Sequence, residues 1–204
     1  LNNDTVPQSG WLENLIKTAQ EMTDVAIVGS KLLYPDGKVQ HAGVVFEVND
    51  SGCLVYHIYS GIDKDHPAVN HIREFNAVTA ACMLIRRSIF IDAGMFDEVF
   101  INGYEDVDLC LKVREKGWKI VYNPESVLIH HEGVTEGRIG NVENNNNHLL
   151  KRWMGRIISD AQIKAEEDDI RIEYMADSRV EYHYAQKKNL AQKRNTLSIM
   201  IRTD

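Results

Sequence analysis

Apolar positions along the chain keep two rhythms. Over residues 5–22, Trp11, Leu12, Leu15, Ile16 and Ala19 recur at the spacing of one helical face, behind an opening Val6-Pro7. Residues 25–29 are a continuous apolar run closed by Gly29, the pattern of a buried strand. Tyr34-Pro35-Asp36-Gly37-Lys38 is a turn, because Pro fixes φ and Gly supplies a positive one. Residues 39–48 alternate, with Ala42, Val44, Phe46 and Val48 on one face, and predict a single strand. The polar stretch 49–71 predicts a long loop with a short strand near 54–58, and 75–85 reads as another strand. Residues 88–93 predict a short helix capped by Ser88 and closed by Gly94.

The pattern is sharpest over 106–116, with acids first, Lys112, Arg114 and Lys116 toward the end, and Gly117 as the stop of a helix. Strands at 118–122 and 127–129 follow, separated by Asn123-Pro124. Residues 132–147 hold Gly133, Gly137, Gly140 and five asparagines without an apolar period, and predict a mobile loop. A helix is expected over 148–158. Beyond it, 160–195 is highly charged around Glu166-Glu167-Asp168-Asp169 and predicts a peripheral helical tail, with a strand-like end at 197–201. Strands and helices alternate without internal repeat, which gives an α/β class.

Composition narrows the function. A length of 204 residues allows one domain with or without a helical appendage, and a hydrophobic fraction of 44% suffices for its core. A net charge of −7 excludes the basic stripe that nucleic-acid binding needs. No run of 18 apolar residues would span a membrane, and no basic-then-apolar secretion signal opens the chain. Cys53, Cys82 and Cys110 are widely spaced without a CxxC pair, so they form neither a disulfide framework nor a zinc knuckle. They read as buried small hydrophobes in a reducing cytoplasm, a location compatible with peripheral contact at the inner membrane face.

Candidate chemistry lies at three stations. Asp4 follows Asn2 and Asn3, and an oxygen-rich site there suits Mg2+ or Mn2+. An Asx turn or a helix cap explains the same residues. Glu105 and Asp106 open the sharpest helix, whose dipole favours the ionised carboxylate that a general base requires. Plain capping by acids is the alternative, and Asp108 points elsewhere on the helix. His130 and His131 follow a short apolar strand and can complete a mixed metal site or serve the structure. Between Asp106 and His130 lies one helix-strand-strand unit, whose two ends can return to the same sheet edge. A zinc hydrolase would need a ligand set such as HExxH, which is absent.

Read together, these segments resemble family-2 glycosyltransferases of the nucleotide-diphospho-sugar transferase (GT-A) fold, in their rhamnosyltransferase-like branch. The resemblance rests on Leu1-Asn-Asn-Asp-Thr5, Gly29-Ser-Lys-Leu-Leu-Tyr-Pro-Asp-Gly37, Val78-Thr-Ala-Ala-Cys-Met-Leu-Ile-Arg-Arg87, Gly94-Met-Phe-Asp-Glu98, Gly103-Tyr-Glu-Asp-Val-Asp-Leu109 and His130-His-Glu-Gly133, and runs to about residue 158. It implies a mixed sheet flanked by helices, the C-terminal portion of that fold, with the nucleotide-base half lying upstream of Leu1. It implies that Asp4 is the last acid of a DxD motif holding Mn2+ or Mg2+ against the donor diphosphate. Asn2 stands where the first acid would be, with Asn3 beside it. Asp106 would be the catalytic base with Glu105 next to it, and His130 a metal ligand with His131 as the other candidate. Residues 77–82, with Ala81 and Cys82, and the turn holding Asp97 would form the wall where donor sugar meets acceptor. The loop after Gly133 would close over the donor, with Arg138 reaching a phosphate.

The expectation is therefore a metal-dependent inverting glycosyltransferase segment. It would move sugar from a nucleotide-diphospho-sugar donor to a saccharide or lipid-linked acceptor in cell-surface polysaccharide synthesis. The other expectation is a non-catalytic scaffold or interaction module derived from such an enzyme. The expected organisation is a catalytic domain over 1–158, a charged helical tail or linker over 159–196, and at 197–204 the first strand of a following domain.

Overall fold

The computed structural model describes residues 1–49, 52–131, 141–175 and 180–184, and the backbone of 197–199. Its centre is a six-stranded mixed sheet. The spine is a parallel pair, β2 (Val25–Leu33) beside β8 (Lys119–His130). On its outer sides β1 (Thr5–Pro7) runs antiparallel to β8, and β3 (Val39–His41) antiparallel to β2. Two short strands, β6 (Arg73–Glu74) and β7 (Met83–Ile85), pair with β8 and β2 respectively. β2 is buried over its whole length, which is why its text is nearly unbroken apolar: a strand covered on both faces shows no polar side.

Helices cover the sheet. α1 (Trp11–Glu21) packs Leu15 against Val25, Val28, Leu32, Val121 and Leu128. A second cluster joins Ile27, Phe46, Val78, Leu109, Val113, Ile120 and Trp153. It draws on α3 (Glu105–Glu115), α4 (Val142–Trp153) and the hairpin of β4 (Val44–Asn49) with β5 (Gly52–His57). The short α2 (Arg87–Asp92) lies beside α3. Among the described residues no helix is long and apolar enough to cross a membrane. All three cysteines are free and buried, as their apolar neighbours suggested.

The turn at 34–38, the strand at 25–29 and the 106–116 helix lie where the sequence places them. Six local expectations are corrected. Residues 39–48 are two strands in different sheets, because Gly43 takes φ 122 and the Phe75 ring sits against it; a Cβ there would lie 2.4 Å from a ring carbon. Residues 75–85 are not one strand either: a 3-10 turn at Ala80–Cys82 precedes β7. Asn123-Pro124 does not end its strand. β8 runs on through a bulge, since Ser30 pairs with Asn123 while Lys31 pairs with Val127. The Asn123 amide secures the bulge by donating to Thr18 Oγ1 at 2.8 Å, and its oxygen accepts from Glu125 N at 2.7 Å. Ser88 is not a cap. α2 starts one residue earlier, and the Arg86 guanidinium ties the chain back by donating to Ala19 O and Val25 O.

The asparagine run is helical. α4 spans Val142–Trp153, not 148–158, and residues 132–140 lie outside the described part of the chain. Helix propensity argues against Asn, but buried Asn145 clamps the backbone of Ile101, accepting from its N at 3.1 Å and donating to its O at 2.8 Å. Last, the charged segment is not a peripheral helical tail. Among its described residues only α5 (Ala161–Glu166) is helical; it is followed by the antiparallel pair β9 (Ile170–Tyr174) and β10 (Val180–Tyr184). Ala161, Ala165, Ile170, Ile172, Val180 and Tyr182 are buried with Val45, Tyr56, Tyr59 and Phe75 in one cluster. Of residues 197–204 only β11 (Leu197–Ile199) is described, and it pairs with β10.

Candidate active site

Ligands of α/β sheets gather at the carboxyl ends of parallel strands. β8 reaches that rim at His130, and β1 pairs with it so that Thr5 faces His130. Asp4 therefore precedes its strand, and the antiparallel pairing carries it to the same rim. Its carbonyl accepts from His131 N at 2.9 Å. His130 Nε2 stands 3.2 Å from Asp4 Oδ1, with the two side chains only 6% and 16% exposed. On the ring's other side Gln40 Oε1 lies 2.6 Å from Nδ1.

Asp4 Oδ1 is buried and has no hydrogen-bond partner. Its 3.2 Å contact with His130 Nε2 has the reach of an ion pair but is not a hydrogen bond. Buried carboxylate oxygens are nearly always satisfied, so this one calls for a cation or donor not yet counted. A divalent cation fits: neighbouring ligands on an octahedral ion with bonds of about 2.1 Å lie about 3 Å apart. Among the described residues no third His, Cys, Asp or Glu completes a three-ligand cluster.

Asp106 lies one turn of chain away. The backbone entering α3 is strained, with φ 55 at Asn102, φ 154 at Gly103 and φ 70 at Tyr104. Positive φ at two non-glycine residues costs of the order of 1–3 kcal/mol each, and such strain concentrates at functional sites. It delivers Asp106 to the turn Ala80–Cys82: Oδ2 accepts from Ala80 N at 2.9 Å and Oδ1 from Val107 N at 2.8 Å. In the same turn Ala81 O accepts from Asn2 N at 2.9 Å. One three-residue turn thus ties the acid of α3 to the segment carrying Asp4.

The turn is itself held from β3. Thr79 N donates to His41 Nε2 at 3.3 Å, and His41 Nδ1 donates to Ser30 O at 2.9 Å. Burial, reinforced by the neighbouring His57 and His130, pushes the His41 pKa well below its usual value against the opposing pull of Ser30 O. The ring stays neutral, as an accepting Nε2 demands.

The remaining residues singled out by sequence divide. Asn2, Asn3 and His131 are exposed at this rim, and Glu105 is half-buried at the start of α3. Ala81 and Cys82 are buried, so only their backbone faces the site; Cys82 Sγ accepts from Ser30 Oγ at 3.1 Å and burial raises its pKa. Asp97 is engaged elsewhere, paired with Arg152 at 2.7 Å. Arg138 lies outside the described residues. Sequence reasoning missed Gln40, His41 and Thr79, whose partners lie 90, 11 and 38 positions away, beyond any local pattern.

A family model described as glycosyltransferase like family 2 matches residues 1–155. The chain is 39% identical over 129 residues to the uncharacterized protein y4gI of Sinorhizobium fredii, covering 62% of this chain and 14% of that protein. It is 38% identical over 138 residues to the O-antigen biosynthesis protein RfbC of Myxococcus xanthus, covering 66% of this chain and 11% of that one. Over 61 residues it is 39% identical to the N-acetylglucosaminyl-diphospho-decaprenol L-rhamnosyltransferase of Mycobacterium tuberculosis, covering 30% and 20%. The chain thus spans only a small part of the length of these relatives.

Proposed function

The chain belongs to glycosyltransferase-like family 2, and from that premise we propose that it carries the metal and base side of a metal-dependent, inverting sugar-transfer site. The donor is a nucleotide-diphospho-sugar, and the acceptor is a hydroxyl of a saccharide or lipid-linked saccharide. Two relatives named for O-antigen biosynthesis and for rhamnosyl transfer to a diphospho-decaprenol support cell-surface polysaccharide synthesis as the setting.

Asp4 Oδ1 and His130 Nε2 would hold Mn2+ or Mg2+, with the donor diphosphate and water filling the other positions. Such a cation, when bound, supplies charge neutralisation for the departing diphosphate. Asp106 is the general base. Each of its oxygens accepts one backbone N–H and keeps a second lone pair, which an acceptor hydroxyl can approach. As the hydroxyl oxygen bonds to the anomeric carbon, its proton passes to the Asp106 carboxylate and the carbon–diphosphate bond breaks on the opposite face, inverting the centre. Because Ala80 N fixes Asp106, the base needs little reorganisation at that moment.

What supports this reading is the buried, unsatisfied Asp4 oxygen beside His130, joined through one short turn to Asp106. The test is calorimetric titration of Mn2+, alone and with UDP, together with transfer from a panel of nucleotide sugars. Asp4→Ala should lose Mn2+-dependent diphosphate binding. Asp106→Asn should retain that binding and lose transfer. Binding and transfer untouched by both changes would refute the mechanism and favour a scaffold.

A further inference from the structure

β3 and β2 do not pair residue for residue. Leu33 faces Val39 and the adjacent Leu32 faces His41, so Gln40 is an extra residue, a β-bulge, on β3. A bulge re-aims the side chain it carries, and bulges cluster beside active sites for that reason. Here the carboxamide is turned toward β8, where Oε1 meets His130 Nδ1 at 2.6 Å across 90 positions of sequence. Gln40 is 1% exposed. Its backbone is pinned on both sides: Gln40 O accepts from His57 Nδ1 at 3.1 Å, and neighbouring Val39 N donates to Ile62 O at 3.0 Å. The carboxamide therefore presents its oxygen from a fixed frame.

An imidazole nitrogen facing a carbonyl-type oxygen must carry the proton, since that oxygen only accepts. Neutral His130 then has its lone pair on Nε2, the atom beside Asp4 Oδ1. Nε2 and Asp4 Oδ1 are then two acceptor atoms 3.2 Å apart, a pair that suits a divalent cation. Metal-bound histidines elsewhere are oriented in this way by an acceptor on the remote ring nitrogen.

We infer that Gln40 is a positioning residue for the cation site: its carboxamide oxygen selects the Nδ1–H tautomer of His130 and so frees Nε2, with Asp4, for a divalent cation. The inference rests on the proposed function for the identity of the ligand, but the tautomer can be read without any ligand. Gln40 touches neither substrate nor cation and acts wholly through His130.

Long-range proton–nitrogen NMR of the 15N-labelled metal-free protein should show His130 protonated on Nδ1. Gln40→Met keeps length and apolar packing but removes the acceptor. It should leave the amide spectrum folded, turn His130 to a tautomer mixture or to Nε2–H, and weaken Mn2+ binding by about 10–100-fold, the usual effect of losing such a partner. Gln40→Glu restores an acceptor of the same length and should return both the tautomer and Mn2+ affinity to the wild-type level, which a merely space-filling role would not require. A wild-type His130 protonated on Nε2 overturns the inference outright, whatever the variants do. Unchanged Mn2+ affinity in a folded Gln40→Met also overturns it, while leaving the proposed function intact if Asp4→Ala still abolishes binding. No Mn2+ binding by the wild type would instead bring down the proposed function and the cation half of this inference together.

Discussion

Asp108 follows the proposed base by two residues, yet it faces the other way and is 0% exposed. Its carboxylate accepts from Arg152 Nη1 at 2.8 and 2.9 Å and from Trp153 Nε1 at 2.8 Å, and it pairs with Lys112 Nζ at 2.7 Å. This cluster is what fastens α4 to α3. Replacing Asp108 with Ala leaves the buried indole N–H without an acceptor, a loss of roughly 1–3 kcal/mol. Two cations also lose their partner. Lys112 and Arg152 keep 22% and 34% of their side chains exposed, so water compensates in part, and Arg152 retains Asp97. The total comes to about 3–4 kcal/mol, within the range for breaking a buried ion pair. Asp108→Asn keeps an acceptor for the indole and should cost about half as much. Urea unfolding followed by tryptophan fluorescence measures both. For a domain of this size the Ala variant should melt about 6–16 °C lower. The exposed end of the cluster gives the contrast: Asp97→Asn should change stability by under ~1 kcal/mol. A loss below about 1 kcal/mol in Asp108→Ala, or an equal loss in Asp97→Asn, would refute the view that burial gives this cluster its strength.

Two further outcomes follow from the backbone and from one ring. Gly43→Ala combines positive φ with a Cβ 2.4 Å from the Phe75 ring and should cost about 2–5 kcal/mol in urea unfolding, whereas Gly37→Ala, at φ 85 with open space, should cost only about 1–2; equal losses would discount the Phe75 contact. His41 is held neutral in the fold, while in the unfolded chain it takes up a proton below about pH 6.5, so the unfolded state gains protons and stability should fall as pH drops from 7 toward 5. His66, also depressed by burial, acts in the same direction, so the diagnostic is the slope: stability should depend less steeply on pH in His41→Asn, and an unchanged slope would assign the effect elsewhere.

Local signals were legible where local forces decide. α3 announced itself through acids at its start and Gly117 just past its end, because its dipole and stop are written within one short stretch of chain. β2 was legible because burial on both faces leaves an apolar run. The failures are places where a distant residue overrides a local preference. Alternation over 39–48 is continuous, and nothing near Gly43 reveals that Phe75 occupies its Cβ position. The charges of 160–184 hid the period-two set Ile170, Ile172, Val180 and Tyr182, which only the aromatic cluster of Tyr56, Tyr59 and Phe75 makes worth burying. One charge inside that segment is part of the docking: Asp168 accepts from Arg73, outside it, at 2.6 and 2.7 Å.

The candidate site divides along the same line. Asp4, Asp106 and His130 could be named from sequence because each sits where an element begins or ends, and ends of elements are where side chains meet solvent and ligand. What brings them together could not be named. A turn at Ala80–Cys82, a neutral imidazole at His41 and a bulged Gln40 contribute geometry and no charge, and each acts through a partner set by tertiary pairing. The two sides of the site share one short strand. In β3, Gln40 reaches His130 on the proposed cation side, while His41 reaches Thr79, whose neighbour Ala80 holds Asp106 on the proposed base side. A shift of β3 against β2 would therefore disturb both sides at once. That strand is anchored by the turn at 34–38, where Tyr34 N donates to Lys38 O at 2.8 Å, and by Ile62 O on its other side. The Tyr34-Pro35-Asp36-Gly37 turn is thus part of what positions His130 relative to Asp106.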